Sequence, residues 1–88
     1  MHDHHTTTRL SVTLGDEDTA LARLLGVVRR RGFRVRAIEA NFNGAGAIAV
    51  LMAVESQRPV DVLIRQIARI IGVEHVSIEP PLQAIAVA

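Results

Sequence analysis

Apolar and polar residues alternate at the start of the chain and then change to a helical spacing. Every second residue between 10 and 14 is apolar, which predicts a half-buried strand. From Thr19 onward the apolar residues recur every three or four positions, as in an amphipathic helix. The acidic run 16–18 stands at the start of this helix, where the positive end of its dipole favours anions. The basic run 29–31 and Gly32 mark its end. The apolar stripe of the helix is Leu21, Leu24, Leu25 and Val28.

The middle of the chain has the pattern of two strands joined by a turn. Residues 33–42 are extended in pattern but polar on part of their surface. Residues 43–46 include two glycines and favour a tight turn. Residues 47–54 are almost wholly apolar, as in a strand that is buried on both faces or central in its sheet. Ile48, Val50, Met52 and Val54 share one face of this strand, and Ala47, Ala49, Leu51 and Ala53 share the other.

A second amphipathic helix and a last strand complete the pattern. Pro59 suits the first turn of a helix, the apolar spacing continues over 60–71, and Gly72 is predicted to end the helix. A short strand follows over 73–78 and stops at the double proline. The predicted order is therefore strand, helix, strand, strand, helix, strand.

This order and a weak internal repeat predict a ferredoxin-like α+β fold, βαββαβ. Right-handed crossovers then give a four-stranded antiparallel sheet with both helices on one face. We expect a flexible N-terminus over 1–8, one domain over 9–79 and a C-terminal tail over 80–88. A single-layer core in a chain of 88 residues is marginal, and the alanine-rich face of the third strand stays uncovered. Either this alanine face is tolerated in contact with water, or, as we expect, a partner or a second copy of the chain covers it.

The amino-acid composition excludes several classes of catalytic residue. The chain has no cysteine, all ten of its basic residues are arginine, and phenylalanine is its only aromatic residue type. Disulfides, thiolate metal sites, cysteine nucleophiles and lysine Schiff bases are therefore excluded. Its carboxylates form no catalytic pair, so we predict no catalytic residue. His2, His4, His5 and Asp3 have metal-ligating side chains, but we interpret them as part of the flexible start and predict no metal site.

The sequence also bears on location and on nucleic acid. No apolar run approaches the roughly 20 residues needed to cross a bilayer, and no apolar segment follows a basic start as in a signal peptide. We therefore expect a cytoplasmic protein that does not contact membranes. The formal net charge is +1, and the predicted third strand carries no aromatic residue for base stacking, so we predict no nucleic-acid partner.

The local basic cluster lies between the first helix and the second strand. Its charges suit the end of a helix, and an acidic protein partner is the second explanation. A small RNA-binding domain is a third, because one family with this topology binds RNA. We predict that the cluster contributes to partner contacts through Arg29, Arg30, Arg31, Arg34 and Arg36.

These residues carry a resemblance to a known family. The segment 21–35, with its motif Arg-Arg-Gly-Phe-x-Val, resembles the first helix and second strand of ACT domains. It is most similar to the regulatory small subunits of acetolactate (acetohydroxyacid) synthase. Segments 56–63 and 73–78 resemble the short, single-ACT small subunit of the isozyme II type. The resemblance covers about residues 9–79.

The resemblance implies a non-catalytic subunit in branched-chain amino-acid biosynthesis. Such subunits bind and activate a large catalytic subunit, which itself carries thiamine diphosphate, magnesium and FAD. The small subunit is then expected to hold no cofactor. ACT domains also pair side by side into a continuous sheet, so the resemblance implies a homodimer.

The resemblance further places an effector site between two protomers. Branched-chain amino acids bind in this family between the first strand–helix loop of one protomer and the second strand of its neighbour. The positions that correspond in this chain are Gly15, Asp16, Thr19, Ala20, Arg34 and Val35.

Two of these positions depart from the valine-sensitive pattern. Asp16 stands where those relatives have asparagine, and Thr19 stands where they have glycine. An added carboxylate repels the ligand's own carboxylate, and a branched side chain blocks approach to backbone amides. We therefore predict weak or absent valine feedback. The alternative function is a stand-alone ACT-type sensor of amino acids that acts on another enzyme.

Overall fold

The computed structural model describes residues 6–15, 19–42 and 46–79. Six elements follow one another in the predicted order. Asp16, most of the 43–46 turn, the N-terminal histidines and the tail 80–88 lie outside the described residues. The elements are β1 (Thr6–Gly15), α1 (Ala20–Arg30), β2 (Arg34–Phe42), β3 (Ala47–Ser56), α2 (Val60–Ala68) and β4 (Val73–Ile78).

The four strands form one antiparallel sheet in the order β2-β3-β1-β4. The central pair, β1 and β3, aligns over its whole length, from Thr6 opposite Ser56 to Gly15 opposite Ala47. β4 and β2 are the two edge strands. The βαββαβ order and this sheet confirm the predicted ferredoxin-like fold.

The core lies between the helices and one face of the sheet. This core face of β1 and β3 includes Leu10, Val12, Val50, Met52 and Val54, which are all buried. Leu24 and Val28 of α1 and Leu63 and Ile67 of α2 pack against them, as the predicted stripes require. On the opposite, open face Ala49 is exposed and Leu51 and Ala53 are half-buried, so β3 is central but covered on one side.

α1 ends in a Schellman motif. The Gly32 N–H donates to the Arg29 carbonyl (3.1 Å), and the Phe33 N–H donates to the Val28 carbonyl (3.1 Å). Gly32 has a φ of +86°, in the left-handed region that a residue with a side chain rarely adopts. The prediction that Gly32 ends this helix is therefore confirmed.

Two element boundaries differ from the predicted ones. β1 begins at Thr6, three residues before the expected start of the domain, because the threonines continue the pairing with β3. α2 ends at Ala68 instead of continuing to Gly72. The Arg69 and Ile70 N–H groups donate to carbonyls three residues back, which tightens the chain into a turn. Apolar spacing persists through this turn because Ile70 still packs against the core.

No helix within the described part of the chain is long and apolar enough to cross a membrane.

We predict that Gly32→Ala lowers the free energy of unfolding by about 1–2 kcal/mol, because the new side chain must adopt the left-handed conformation. Gly26→Ala is the matched control, since it lies inside α1 and gains about 0.5–1 kcal/mol of helix propensity. Urea unfolding at one fixed protein concentration measures both. Equal effects of the two substitutions would contradict the role of Gly32.

Candidate functional site

The residues of the predicted effector site lie at opposite ends of the domain. Gly15 aligns with Ala47, whereas Arg34 aligns with Glu55. Ala47 and Glu55 are eight residues apart on β3, which corresponds to about 26 Å along a strand. A single protomer therefore does not bring the two halves of the predicted site together.

One half of the site lies at what we call the loop end, the end of the sheet that holds Gly15, Ala20 and Phe42. The Gly15 N–H donates to the Gly72 carbonyl (2.7 Å), which ties the end of β1 to the turn before β4. Thr19 is exposed and its carbonyl accepts the Arg23 N–H (3.0 Å), whereas Ala20 is fully buried. Ala20 therefore supports the loop by packing and presents no side chain to a ligand.

A carboxylate that the sequence analysis did not single out stands at this loop. A Cβ placed on Gly15 would lie 3.3 Å from Glu74 Oε2, so the acid of β4 comes close to the end of β1. Glu74 is exposed. Its negative charge opposes a ligand carboxylate at the loop, in the same direction as the effect predicted for Asp16.

The other half lies at the arginine end, which holds Gly32, Arg34 and Arg58. An open groove of about 670 Å³ runs here between α1 and the edge strand β2, and we call it the edge groove. It contains both predicted effector residues of β2 and three of the five predicted partner-binding arginines. The residues that line it include Leu25, Arg29, Arg34, Val35, Arg36 and Ile38.

The electrostatic environment of the edge groove is almost wholly basic. Arg36 Nε lies 4.0 Å from Glu55 Oε1, at the limit of an ion pair, and both groups are accessible to water. Among the described residues no carboxylate lies within 4.0 Å of Arg29 or Arg34. Three guanidinium groups therefore share one nearby acid, and the groove suits an anionic ligand or an acidic surface.

Arg36 occupies an irregular position on the edge strand. The pairing of β2 with β3 shifts between Val35 and Ala37, so Arg36 is the extra residue of a β-bulge. Beyond the bulge, Ile38 and Phe42 lie on the core face of β2 but are exposed to 42% and 76%. The helices leave these two side chains exposed, although α1 contacts β2 as well as β1, while α2 contacts β4.

Sequence reasoning missed several of these features. Phe42 and Ile38 follow the strand period, but their exposure depends on how far α1 covers the sheet. Arg58 joins the arginine end although 22 residues separate it in sequence from Arg36. The only feature of the sequence that could have indicated this position is that Arg58 directly precedes Pro59, at the start of α2.

The described part of the chain contains no group of three or more side chains suited to bind a metal. It also contains no buried side-chain nitrogen or oxygen without a hydrogen-bond partner.

A profile of the ACT domain family matches residues 16–76. This match spans most of the chain, and the chain therefore belongs to the ACT domain family, whose members are regulatory units. No curated protein matches the sequence.

Solved structures share the fold at low sequence identity. The ACT domain from the GTP pyrophosphokinase of Chlorobium tepidum has a TM-score of 0.74 and 14% identity, covering 85% of this chain and 99% of that one. The acetolactate synthase small subunit from Thermotoga maritima has a TM-score of 0.76 and 17% identity, covering 90% of this chain and 50% of that one. The ligand-free regulatory subunit of aspartate kinase from Thermus thermophilus has a TM-score of 0.63 and 18% identity, covering 84% and 50%.

Proposed function

We propose that this protein is a non-catalytic regulatory subunit that binds and activates the large catalytic subunit of acetolactate synthase in branched-chain amino-acid biosynthesis. The thiamine diphosphate, magnesium and FAD of that reaction belong to the catalytic subunit in this proposal. The exposed basic edge of the ACT domain is the observation that carries it, because a groove lined by three arginines suits contact with an acidic surface of a partner.

Two further observations support this assignment. The Arg-Arg-Gly-Phe-x-Val motif occupies residues 30–35, at the end of α1 and the start of β2, and its arginines are exposed at the arginine end and do not lie in the core. The Thermotoga maritima acetolactate synthase small subunit shares the fold over 90% of this chain. This chain spans half of that subunit's length.

The proposal includes a homodimer through the edge strand β2. Antiparallel pairing of two β2 strands would place the Arg34 end of one protomer beside the Phe42 end of its neighbour. Gly15 lies at that same loop end, so pairing would join the two halves of the effector site that are about 26 Å apart within one protomer. The exposed Phe42 of one copy would then lie near the edge groove of the other.

We further propose that the effector site of this dimer binds branched-chain amino acids weakly or not at all. The residues of the site are Gly15, Asp16, Thr19, Ala20, Arg34 and Val35. Glu74 adds a second carboxylate at Gly15. Arg34 offers a guanidinium from the other protomer, but it faces a loop whose charge is negative.

The second candidate function is a stand-alone ACT-type sensor of amino acids that acts on a different enzyme. The observation that favours it is the range of similar structures, which includes the ACT domain of a GTP pyrophosphokinase and the regulatory subunit of an aspartate kinase.

We predict that the protein raises acetolactate formation by the catalytic subunit of the same genome several-fold, and that valine does not reverse the increase. Activity assayed with and without this protein across a valine titration measures both effects. Activation lost on adding valine would contradict only the arguments from the carboxylates of Asp16 and Glu74 and from the branched side chain of Thr19. No activation, together with no complex in size-exclusion chromatography, would favour the stand-alone sensor.

We also predict that Phe42→Asp raises the homodimer dissociation constant about a hundredfold or more. The substitution removes one buried aromatic side chain per copy, each contributing about 1.5–3 kcal/mol, and twofold symmetry doubles the loss. Ile71→Asp is the matched control, because Ile71 is 75% exposed in the turn before the opposite edge strand. Sedimentation velocity measures both variants. A similar change in both would place the dimer contact elsewhere.

A further inference from the structure

The five arginines that form one cluster in sequence divide between two surfaces in the structure. Arg29, Arg34 and Arg36 line the edge groove. Arg30 and Arg31 instead line a separate concavity of about 190 Å³, which we call the arginine notch, where the end of α1 meets the start of α2. The notch is lined by Arg30, Arg31, Phe33, Arg58, Pro59 and Val62.

Two glycines leave room for the arginine side chains of this notch. A Cβ on Gly32 would lie 3.0 Å from Arg58 Nε, and a Cβ on Gly26 would lie 3.2 Å from Arg30 Nη1. Both arginine side chains therefore pass over positions where any other residue would bring a side chain. Arg58 therefore lies over Gly32, just past the end of α1, whereas the Arg30 guanidinium extends back over Gly26, about one turn earlier in the helix.

Hydrogen bonds fix the two sides of the notch relative to each other. The Arg58 N–H donates to the buried Ser56 Oγ (2.9 Å), which holds the chain between β3 and α2. Arg31 Nη2 donates to Gln66 Oε1 (2.9 Å) and so joins the end of α1 to α2. The guanidinium group of Arg31 and the backbone at Arg58 are therefore held in place before any partner binds, which lowers the conformational entropy lost on binding.

The arginines of the notch have no carboxylate in direct contact among the described residues, although Glu55 lines an adjoining concavity with Arg58. No described carboxylate lies within 4.0 Å of Arg30, Arg31 or Arg58. The nearest acid along α2, Asp61, is in an ion pair with Arg65 (3.2 Å) one turn further on. The positive charges of these neighbouring arginines repel one another, and an anion bound at the notch lowers that repulsion.

The lining of the notch combines these charges with an apolar surface. Phe33 is 5% exposed and closes the inner side, while Val62 is 45% exposed beside Pro59. A guanidinium pairs with a carboxylate through two parallel hydrogen bonds, and an aliphatic side chain suits the surface beside Val62.

We infer that the arginine notch is a docking site for an acidic segment of a partner protein, in which an aliphatic side chain stands next to two carboxylates. The inference deepens the proposed function and rests on it for the assignment of this segment to the catalytic subunit. None of the residues that line the notch belongs to β2, the strand that would pair in the proposed homodimer.

The same features disfavour RNA at the notch. Single-stranded RNA binds by stacking its bases on exposed aromatic rings, whereas Phe33, the one aromatic residue of the notch, is buried. Phe42 is exposed but lies at the loop end, the opposite end of the domain.

The first test measures binding of the full chain to the catalytic subunit by isothermal titration calorimetry. We expect Arg58→Gln and Arg30→Gln each to weaken binding about tenfold or more, as for loss of one charge-assisted hydrogen bond. The matched control is Arg69→Gln, which removes an exposed arginine at the other end of α2 and should change binding less than about twofold. Circular dichroism checks that all variants keep the fold. Equal weakening in all three variants, or in none, would overturn the inference.

A second test separates failure of the notch from failure of the proposed function. Backbone amide NMR of the full chain follows titration with a capped peptide that has two glutamates between two leucines. We expect shifts at Gly32, Arg58 and Val62, and we expect none with a control peptide in which glutamine replaces both glutamates. The shifts should also be lost in the Arg58→Gln variant. If the peptide binds but the catalytic subunit does not, the proposed function is wrong and the notch is still supported as a docking site for acidic segments. Absence of peptide shifts, or stronger shifts at these amides with single-stranded RNA or inorganic phosphate, would overturn it.

Discussion

The antiparallel alignment of β1 with β3 is the constraint on which the rest of this structure depends. It extends over the full length of both strands and places Leu10, Val12, Val50 and Met52 on the face that the helices cover. The same alignment fixes the two ends of the domain. Because α1 runs back along β1, the helix begins at the loop end and delivers its basic last turn to the arginine end.

Covering only one face of the sheet leaves the edge strand β2 exposed. An edge strand offers unpaired backbone groups to another chain, and natural proteins usually protect it with charges or a bulge. β2 carries both devices at Arg34 and Arg36, yet it exposes Ile38 and Phe42 further along. The charged half disfavours pairing with strands of unrelated proteins. The apolar half favours a partner strand that runs in one particular direction. The edge therefore has the properties of a specific interface.

Small residues shape the arginine end as much as the arginines do. Gly32 ends α1 by adopting a positive φ, and its missing side chain also makes space for Arg58. Gly26 costs α1 some helix propensity but leaves room for Arg30. Local stability and the arrangement of charge are thus coupled through two glycines. A regulatory domain with little core can place several cations together only if the backbone leaves them this space.

The sequence alone determined the order of the elements, the faces of β3, the end of α1 at Gly32 and the ACT resemblance, because periodicity and capping are local properties of the chain. It misjudged the end of α2, since apolar spacing continues through a turn that also packs on the core. Only the tertiary structure decided that five neighbouring arginines face two surfaces, that Arg58 joins two of them, and that Gly15 and Arg34 lie far apart. The physical reason is that sheet order and helix placement set distances between residues remote in sequence, and no local pattern encodes those distances.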